Sequence, residues 1–130
     1  MKKKSILLVD DEPDILETTK WAFEAIGYEV FTAKSGEEGL QRVQTSHPHV
    51  LLIDYKLPKM TGVEFLKAAR EIDPSSAAIM ITGLTHQSEI IEAQSKELGA
   101  FAFLRKPLEM DVVLQTIKEA LAHRASKKSH

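Results

Sequence analysis

Cysteine is absent from the sequence and no apolar run is long, and each of these shortages excludes a class of protein. Without cysteine there are no disulfide bonds, thiol nucleophiles or cysteine-bound metals, and the spacing of the five histidines does not match a zinc site. The formal net charge of −2 creates no field that would attract nucleic acid or an anionic membrane. The basic start is followed by a short apolar run and then by Asp10, which predicts neither a secretory signal nor a membrane span. We therefore expect a cytoplasmic protein that binds neither membrane nor nucleic acid.

The length and the overall composition favour one ordinary globular domain. The chain has 130 residues, of which 43% are hydrophobic and 28% are charged, enough to bury a single core. We predict that the domain spans residues 1–123. Residues 124–130 are small, polar and basic, which predicts a flexible tail or the stub of a linker.

Short apolar runs alternate along the chain with longer amphipathic stretches. The runs are apolar almost throughout, as in parallel strands that are covered on both faces. This pattern predicts a doubly wound, flavodoxin-like α/β fold, with a five-stranded parallel sheet of order 2-1-3-4-5 and helices on both faces. In the first helix, Trp21 and Phe23 are predicted to lie in the core or at its edge. The predicted strands are 5–9, 29–33, 50–54, 77–82 and 102–105, and the predicted helices are 13–26, 35–44, 63–72, 88–98 and 109–123.

Acidic side chains follow two strands that this fold makes neighbours. Asp10 and Asp11 follow the first strand and Asp54 ends the third, so all three meet in one crevice at the carboxyl edge of the sheet. Two such charges about 4 Å apart repel by roughly 4 kcal/mol at an effective dielectric near 20, and Mg²⁺ would relieve that repulsion. Thr82 and Lys106 end or follow the fourth and fifth strands at the same edge. A hydroxyl and an ammonium beside a carboxylate suit the transfer of a phosphoryl group to that carboxylate.

At this point the sequence resembles the receiver domains of response regulators, the phosphoacceptor modules of two-component and phosphorelay signalling. The resemblance covers residues 5–122 and rests on several motifs that occur together and in order. These motifs are Val9-Asp10-Asp11-Glu12, Asp54 with Pro58 and Gly62 at four-residue intervals, Thr82-Gly83, and Lys106-Pro107.

The resemblance implies a phosphoacceptor and a magnesium site. Asp54 would receive the phosphoryl group from a histidine kinase or a histidine phosphotransfer protein. Asp11 would bind Mg²⁺ directly beside Asp54, Asp10 would act mainly through water, and the backbone carbonyl of Lys56 would complete the protein ligands. The only catalysis implied is the domain's own phosphorylation and dephosphorylation, so we do not expect an enzyme.

The resemblance also implies a switch that changes the surface of the domain. Thr82 and Lys106 would bind phosphoryl oxygens, and Phe103 would turn inward when Thr82 moves. The signal would pass to a downstream protein through the fourth helix, fifth strand and fifth helix. The Lys106–Pro107 bond is usually cis in this family. Region 89–123 has no ladder of paired Asp and Arg residues, so we expect a monomer, or a weak dimer after phosphorylation.

Three other interpretations compete with a single-domain regulator. The chain could be a receiver cut from a larger regulator that carries a DNA-binding or enzymatic output domain. A flavodoxin-like cofactor binder would need a phosphate loop after the first strand, where Asp10, Asp11 and Glu12 would instead repel a phosphate. A hydrolytic phosphatase would need a general acid beside the acceptor, and none is evident in the sequence.

Two side chains flank the route by which water would reach a phosphorylated Asp54. Lys56 has a long stem that can cover the site, and Leu84 offers no hydrogen bond to hold a water molecule. This pairing predicts slow loss of the phosphoryl group, which suits an intermediate in a relay.

Overall fold

Five parallel strands and five helices alternate along the chain in this computed structural model, which describes residues 3–83 and 87–128. All five strands lie where the sequence predicts them. The elements are β1 (Ser5–Val9), α1 (Pro13–Ile26), β2 (Glu29–Ala33), α2 (Gly36–Ser46), β3 (Val50–Asp54), α3 (Gly62–Ile72), β4 (Ala77–Thr82), α4 (Ser88–Glu97), β5 (Ala102–Arg105) and α5 (Met110–Lys128).

The strand order is β2-β1-β3-β4-β5, and every neighbouring pair is parallel. This confirms the predicted flavodoxin-like order. The order reverses direction between β1 and β3, which places the carboxyl ends of these two strands side by side at the topological switch point.

Alternating strand residues build one core on each face of the sheet. On one face, Ile6 and Leu8 of β1 pack with Leu16 and Phe23 of α1 and with Ile117 of α5. On the other face, Leu7 and Val9 pack with side chains from α2, α3 and α4. Because both faces are covered, nearly every strand position is apolar, which explains the uninterrupted runs in the sequence.

Some helix ends lie where the capping and stop residues in the sequence predict them, and others do not. Ser35 accepts a hydrogen bond from the Glu38 amide, as its capping-box spacing predicts. A reciprocal capping box forms at Thr61 and Glu64, and α3 therefore begins at Gly62, one residue before the predicted start. The last helix continues to Lys128 rather than ending near residue 123, because no glycine or proline follows to stop it. Within the described residues, no helix is both long and apolar enough to cross a bilayer.

The prediction for Trp21 is wrong, whereas that for Phe23 is confirmed. Trp21 is 77% exposed and Phe23 is fully buried. The buried face of α1 carries Leu16 and Phe23, and two helical positions differ by about 200°, so Trp21 points away from the sheet. Two large side chains two positions apart on one helix cannot share a face, and only the period of the whole helix shows which of them is buried.

Replacing Trp21 with alanine is therefore expected to change the free energy of unfolding by no more than about 0.5 kcal/mol. Trp21 is the single tryptophan of the chain, so the wild-type emission reports on this position alone. The check is urea unfolding followed by circular dichroism, together with acrylamide quenching of the folded wild type. A loss of several kcal/mol, or an emission that acrylamide cannot quench, would place the indole in the core after all.

Candidate phosphoacceptor and metal site

Site residues emerge at the carboxyl edge of the sheet, where backbone hydrogen bonds extend the strand pairing past the strand ends. The Asp10 amide donates to a carbonyl of β2 (3.1 Å), and the Lys106 amide donates to the Thr82 carbonyl (2.8 Å). Asp54 is the last residue of β3, between β1 and β4 in the sheet. The backbone of each site residue is therefore fixed by the sheet, although two of them lie just outside it.

Lys106 lies between two buried carboxylates. Its Nζ is 2.8 Å from Oδ2 of Asp54 and 3.9 Å from Oδ2 of Asp10. Asp10 and Asp54 are 8% and 6% exposed, respectively. The Lys106–Pro107 bond is cis, as the resemblance implied. One ammonium therefore faces two carboxylates, and this part of the site carries an excess of negative charge.

Burial and the neighbouring charges together shift the pKa values of the site. Burial raises the pKa of Asp10 from 3.8 to about 6, and the neighbouring Asp54 charge adds to the rise, while the amide of Glu12 and the charge of Lys106 oppose it. Burial alone would lower the pKa of Lys106. The hydrogen bond to Asp54 and the charges of Asp54, Asp10 and Glu12 outweigh it and raise that pKa above its usual value. A second cation beside Asp10 would therefore be stabilised by the charges already present.

Three carboxylates after β1 could hold such a cation. The ligand oxygens of Asp10, Asp11 and Glu12 all lie within 4.8 Å of one another. This all-oxygen donor set suits a hard divalent ion such as Mg²⁺. The Glu12 amide also donates to Oδ1 of Asp10 (2.9 Å), which fixes that carboxylate. Glu12 belongs to the acidic triplet of the sequence but is not among the predicted metal ligands.

The loop between β3 and α3 holds Asp54 and Lys56 in a fixed relation. The Lys56 amide donates to Oδ1 of Asp54 (3.1 Å), and Lys56 pairs with Thr61 across the loop. The Gly62 amide donates to the carbonyl of Tyr55 (2.6 Å). A Cβ atom at Gly62 would lie 2.8 Å from the Asp54 carbonyl oxygen, so a glycine is needed for α3 to begin this close to the acceptor.

Thr82 and Phe103 lie on the same face of the sheet. Phe103 is opposite Met80 in the β4–β5 register, and Thr82 is two residues beyond Met80, so strand alternation puts both on one side. Thr82 is buried and Phe103 is half-buried against the core under α2, α3 and α4. The structure therefore places the two predicted switch residues on the same face of neighbouring strands. Leu84, the second residue predicted to shield the acceptor, lies outside the described residues.

The raised pKa of Asp10 predicts a pH dependence of stability in metal-free protein. Well below pH 3.8 Asp10 is protonated in both folded and unfolded chains, so it imposes no penalty. Between pH 3.8 and about 6 the unfolded chain ionises while the folded one stays largely protonated, so stability falls as pH rises, by at most about 3 kcal/mol, and is constant above that range. We expect Asp10→Asn to remove this fall in urea unfolding measured from pH 4 to pH 7. An unchanged pH profile in the variant would mean that Asp10 ionises normally.

Comparison with known proteins agrees with this geometry. A family model described as the response regulator receiver domain matches residues 6–118. The sporulation initiation phosphotransferase F of Bacillus subtilis is 35% identical over 121 residues, which cover 93% of this chain and 96% of that protein. A CheY-like receiver domain protein from Methanospirillum hungatei has a solved structure that superposes with a TM-score of 0.91 at 36% identity, covering 97% of this chain and 99% of that one.

One similar structure carries ligands, and other relatives are longer. The response regulator TrrA from Thermotoga maritima, solved in complex with Mg²⁺-BeF, superposes with a TM-score of 0.80 at 29% identity and covers 91% of this chain and 99% of that one. Other curated relatives are transcriptional regulators, and the chain spans about half of one of them, at 48%, and about a quarter of another, at 28%.

Proposed function

Because the chain belongs to the response regulator receiver domain family, we propose that it accepts a phosphoryl group on Asp54 and signals by a change of surface. Receiver domains are signalling modules of two-component systems, and histidine kinases or phosphotransfer proteins phosphorylate them. The observation that carries the assignment of Asp54 is its position at the carboxyl end of β3, buried, paired with Lys106 at 2.8 Å and next to the acidic cluster after β1.

In the proposed transfer, a carboxylate oxygen of Asp54 attacks the phosphorus atom. A new O–P bond forms to Asp54, and the bond between phosphorus and the donor atom breaks, so that the donor leaves with the bonding electrons. Lys106, already against Asp54, and Thr82 would bind the phosphoryl oxygens. Mg²⁺ bound by Asp10, Asp11, Asp54 and the Lys56 carbonyl would neutralise charge that develops on those oxygens. The site's own reactions would be phosphorylation and hydrolysis of Asp54, with no turnover of a separate substrate.

The proposed output depends on Thr82 and Phe103, which lie on the same face of the sheet. A phosphoryl group adds roughly −1.5 to −2 charges at Asp54, which would draw Thr82 and Lys106 toward the new oxygens. Phe103 would then fill the space that Thr82 leaves, and the surface formed by α4, β5 and α5 would change its preferred state. A downstream protein would read that surface. We further propose a cytoplasmic monomer with a domain spanning residues 1–123, a boundary that falls within α5, which continues to Lys128. The alternative, a receiver joined to an output domain, is distinguished by the reading frame of its gene.

The direct test is to incubate the protein with acetyl phosphate, with and without Mg²⁺. We expect one hydroxylamine-sensitive phosphoryl group per chain, located by mass spectrometry in the peptide that contains Asp54. Labelling should require Mg²⁺ and should fall strongly in Asp11→Ala. Labelling of another peptide, or equal labelling in EDTA, would reject the proposed site. Profiling of phosphotransfer against the histidine kinases of the source organism would then identify the donor.

The position of Lys56 predicts that the phosphoryl group is lost slowly. Its amide is bound to Asp54, so the side chain starts beside the acceptor, and its stem can cover the route of the attacking water. We expect Lys56→Asn, which shortens the side chain, to speed decay of the phosphorylated protein several-fold, because correct positioning of water is a large part of this reaction. The measurement is the decay of label in Mg²⁺, with Lys59→Asn as the control in the same loop. Equal decay in wild type and Lys56→Asn would remove the support for a relay role.

A further inference from the structure

An apolar groove of about 630 Å³ lies between α1 and α5 and opens onto the site. Its floor is formed by Leu8, Leu52 and Ile81 of the sheet. Leu8 and Leu52 are buried, at 3% and 5% exposed, and Leu7 and Leu51, on the opposite face of the same strands, are fully buried. The groove therefore reaches the sheet over a small area only, and most of its accessible apolar surface lies on its walls, at Ile15, Leu108 and Met110. The volume lies within the range of about 300–1,000 Å³ that is typical of small-ligand sites.

Strand alternation aligns this apolar floor with the charged end of the groove. Asp10 lies two residues beyond Leu8, and Asp54 lies two residues beyond Leu52, so the carboxylates continue the same rows on the same face. Both carboxylates and Lys106 line the groove. A step of two residues along a strand is about 6.6 Å, which is close to the length of a six-carbon chain. A linear ligand could thus reach the carboxylates while its chain lies on the leucines.

The charged end of the groove favours a cation over an anion. Two buried carboxylates, Asp10 and Asp54, share the single ammonium of Lys106. Asp11 and Glu12 add further negative charge beside them. In metal-free protein a protonated amine would find a net negative, partly dehydrated pocket, whereas a carboxylate head group would be repelled. The apolar walls, which include Ile15 and Val113, favour a hydrocarbon body.

We propose that this groove is a binding site for small amphiphilic amines, with the apolar body on the sheet floor between α1 and α5 and the ammonium at Asp10 and Asp54. Such a ligand would occupy the carboxylates that Mg²⁺ and the phosphoryl group need, and it would hold the receiver in its unphosphorylated form. The proposal goes beyond phosphoacceptance. It is tested on metal-free, unphosphorylated protein, so its failure would leave the assignment of Asp54 untouched.

The test is a titration of EDTA-treated protein with hexylamine, followed by methyl and amide NMR shifts. We expect shifts at Leu8, Leu52 and Asp10, contacts between ligand and leucine methyl protons, and displacement of hexylamine by Mg²⁺. Hexanoate, hexanol and ethylamine separate the contributions of charge and chain, and each should bind at least about tenfold more weakly. Equal binding of hexanol would reject the role of the carboxylates, and equal binding of ethylamine would reject the role of the groove.

Two neighbouring threonines provide matched variants. Thr19 is half-buried and lines the groove, whereas Thr18 is exposed on α1. Thr19→Phe should fill the groove and abolish hexylamine binding, and Thr18→Phe should leave it intact. If Thr19→Phe does not fold, the NMR contacts between hexylamine and the leucine methyl protons of the wild type test whether the ligand lies in the groove. The proposal would be overturned if Thr19→Phe still bound hexylamine, or if no amine bound to the wild type. It would also be overturned if the NMR signals broadened with protein concentration in a way that identifies a second copy of the chain as the occupant of the groove.

Discussion

Replacing Asp54 with asparagine is expected to abolish phosphorylation by acetyl phosphate while leaving the fold intact. An amide oxygen is a far weaker nucleophile than a carboxylate, and it carries no charge to attract Mg²⁺. The shape is retained, and the amide oxygen can still accept the hydrogen bond that the Lys56 amide donates to Oδ1. One of two carboxylates that share Lys106 loses its charge, so the metal-free variant should be no less stable than the wild type.

Asp73 offers a matched control for that substitution. Like Asp54, it accepts a hydrogen bond from the amide two residues later, in this case from Ser75, but it lies at the end of α3 rather than at the carboxyl edge of the sheet. Asp73→Asn should be labelled at the wild-type level. Label that persists in Asp54→Asn and maps to Asp10 or Asp11 would mean that a different carboxylate is the acceptor.

The strands and the site edge were predictable because their signals are local. Each strand is a short, uninterrupted apolar run, and Asp54 ends one of these runs. Given the order of the sheet, its neighbours across the switch point follow. A glycine at position 27 is also a local signal, and in the structure Gly27 ends α1 in a left-handed conformation.

What could not be predicted depends on how elements pack on one another. Trp21 and Phe23 are both large and apolar, and only the docking of α1 decides which one is buried. The sequence places Lys106 at the same edge as Asp10 and Asp54, but packing decides that its Nζ lies closer to Asp54, at 2.8 Å, than to Asp10, at 3.9 Å. The groove between α1 and α5 is a property of helix placement, and no sequence pattern encodes it.

The balance of charge at Lys106 also predicts a large loss of stability when the ammonium is removed. Replacing Lys106 with methionine keeps much of the side-chain length but leaves Asp10 and Asp54 buried without their shared cation. Breaking a fully buried pair costs about 3–5 kcal/mol. The Lys106 side chain is 28% exposed, so we expect a smaller loss, about 2 kcal/mol, in the unfolding free energy of metal-free protein at neutral pH.

We also expect the unfolding free energy to recover when the unpaired carboxylate of Asp54 is removed as well. Lys106→Met combined with Asp54→Asn should regain most of the lost stability, because only one buried carboxylate then remains. Lys96→Met is the matched control: Lys96 forms an exposed pair with Glu92 at 3.3 Å, and its loss should cost no more than about 0.5 kcal/mol. Urea unfolding in EDTA measures all four proteins. If Lys106→Met is as stable as the wild type, or if the double variant is no more stable than the single one, then solvent rather than Lys106 compensates the carboxylates. The ammonium would in that case be needed only once a phosphoryl group is present.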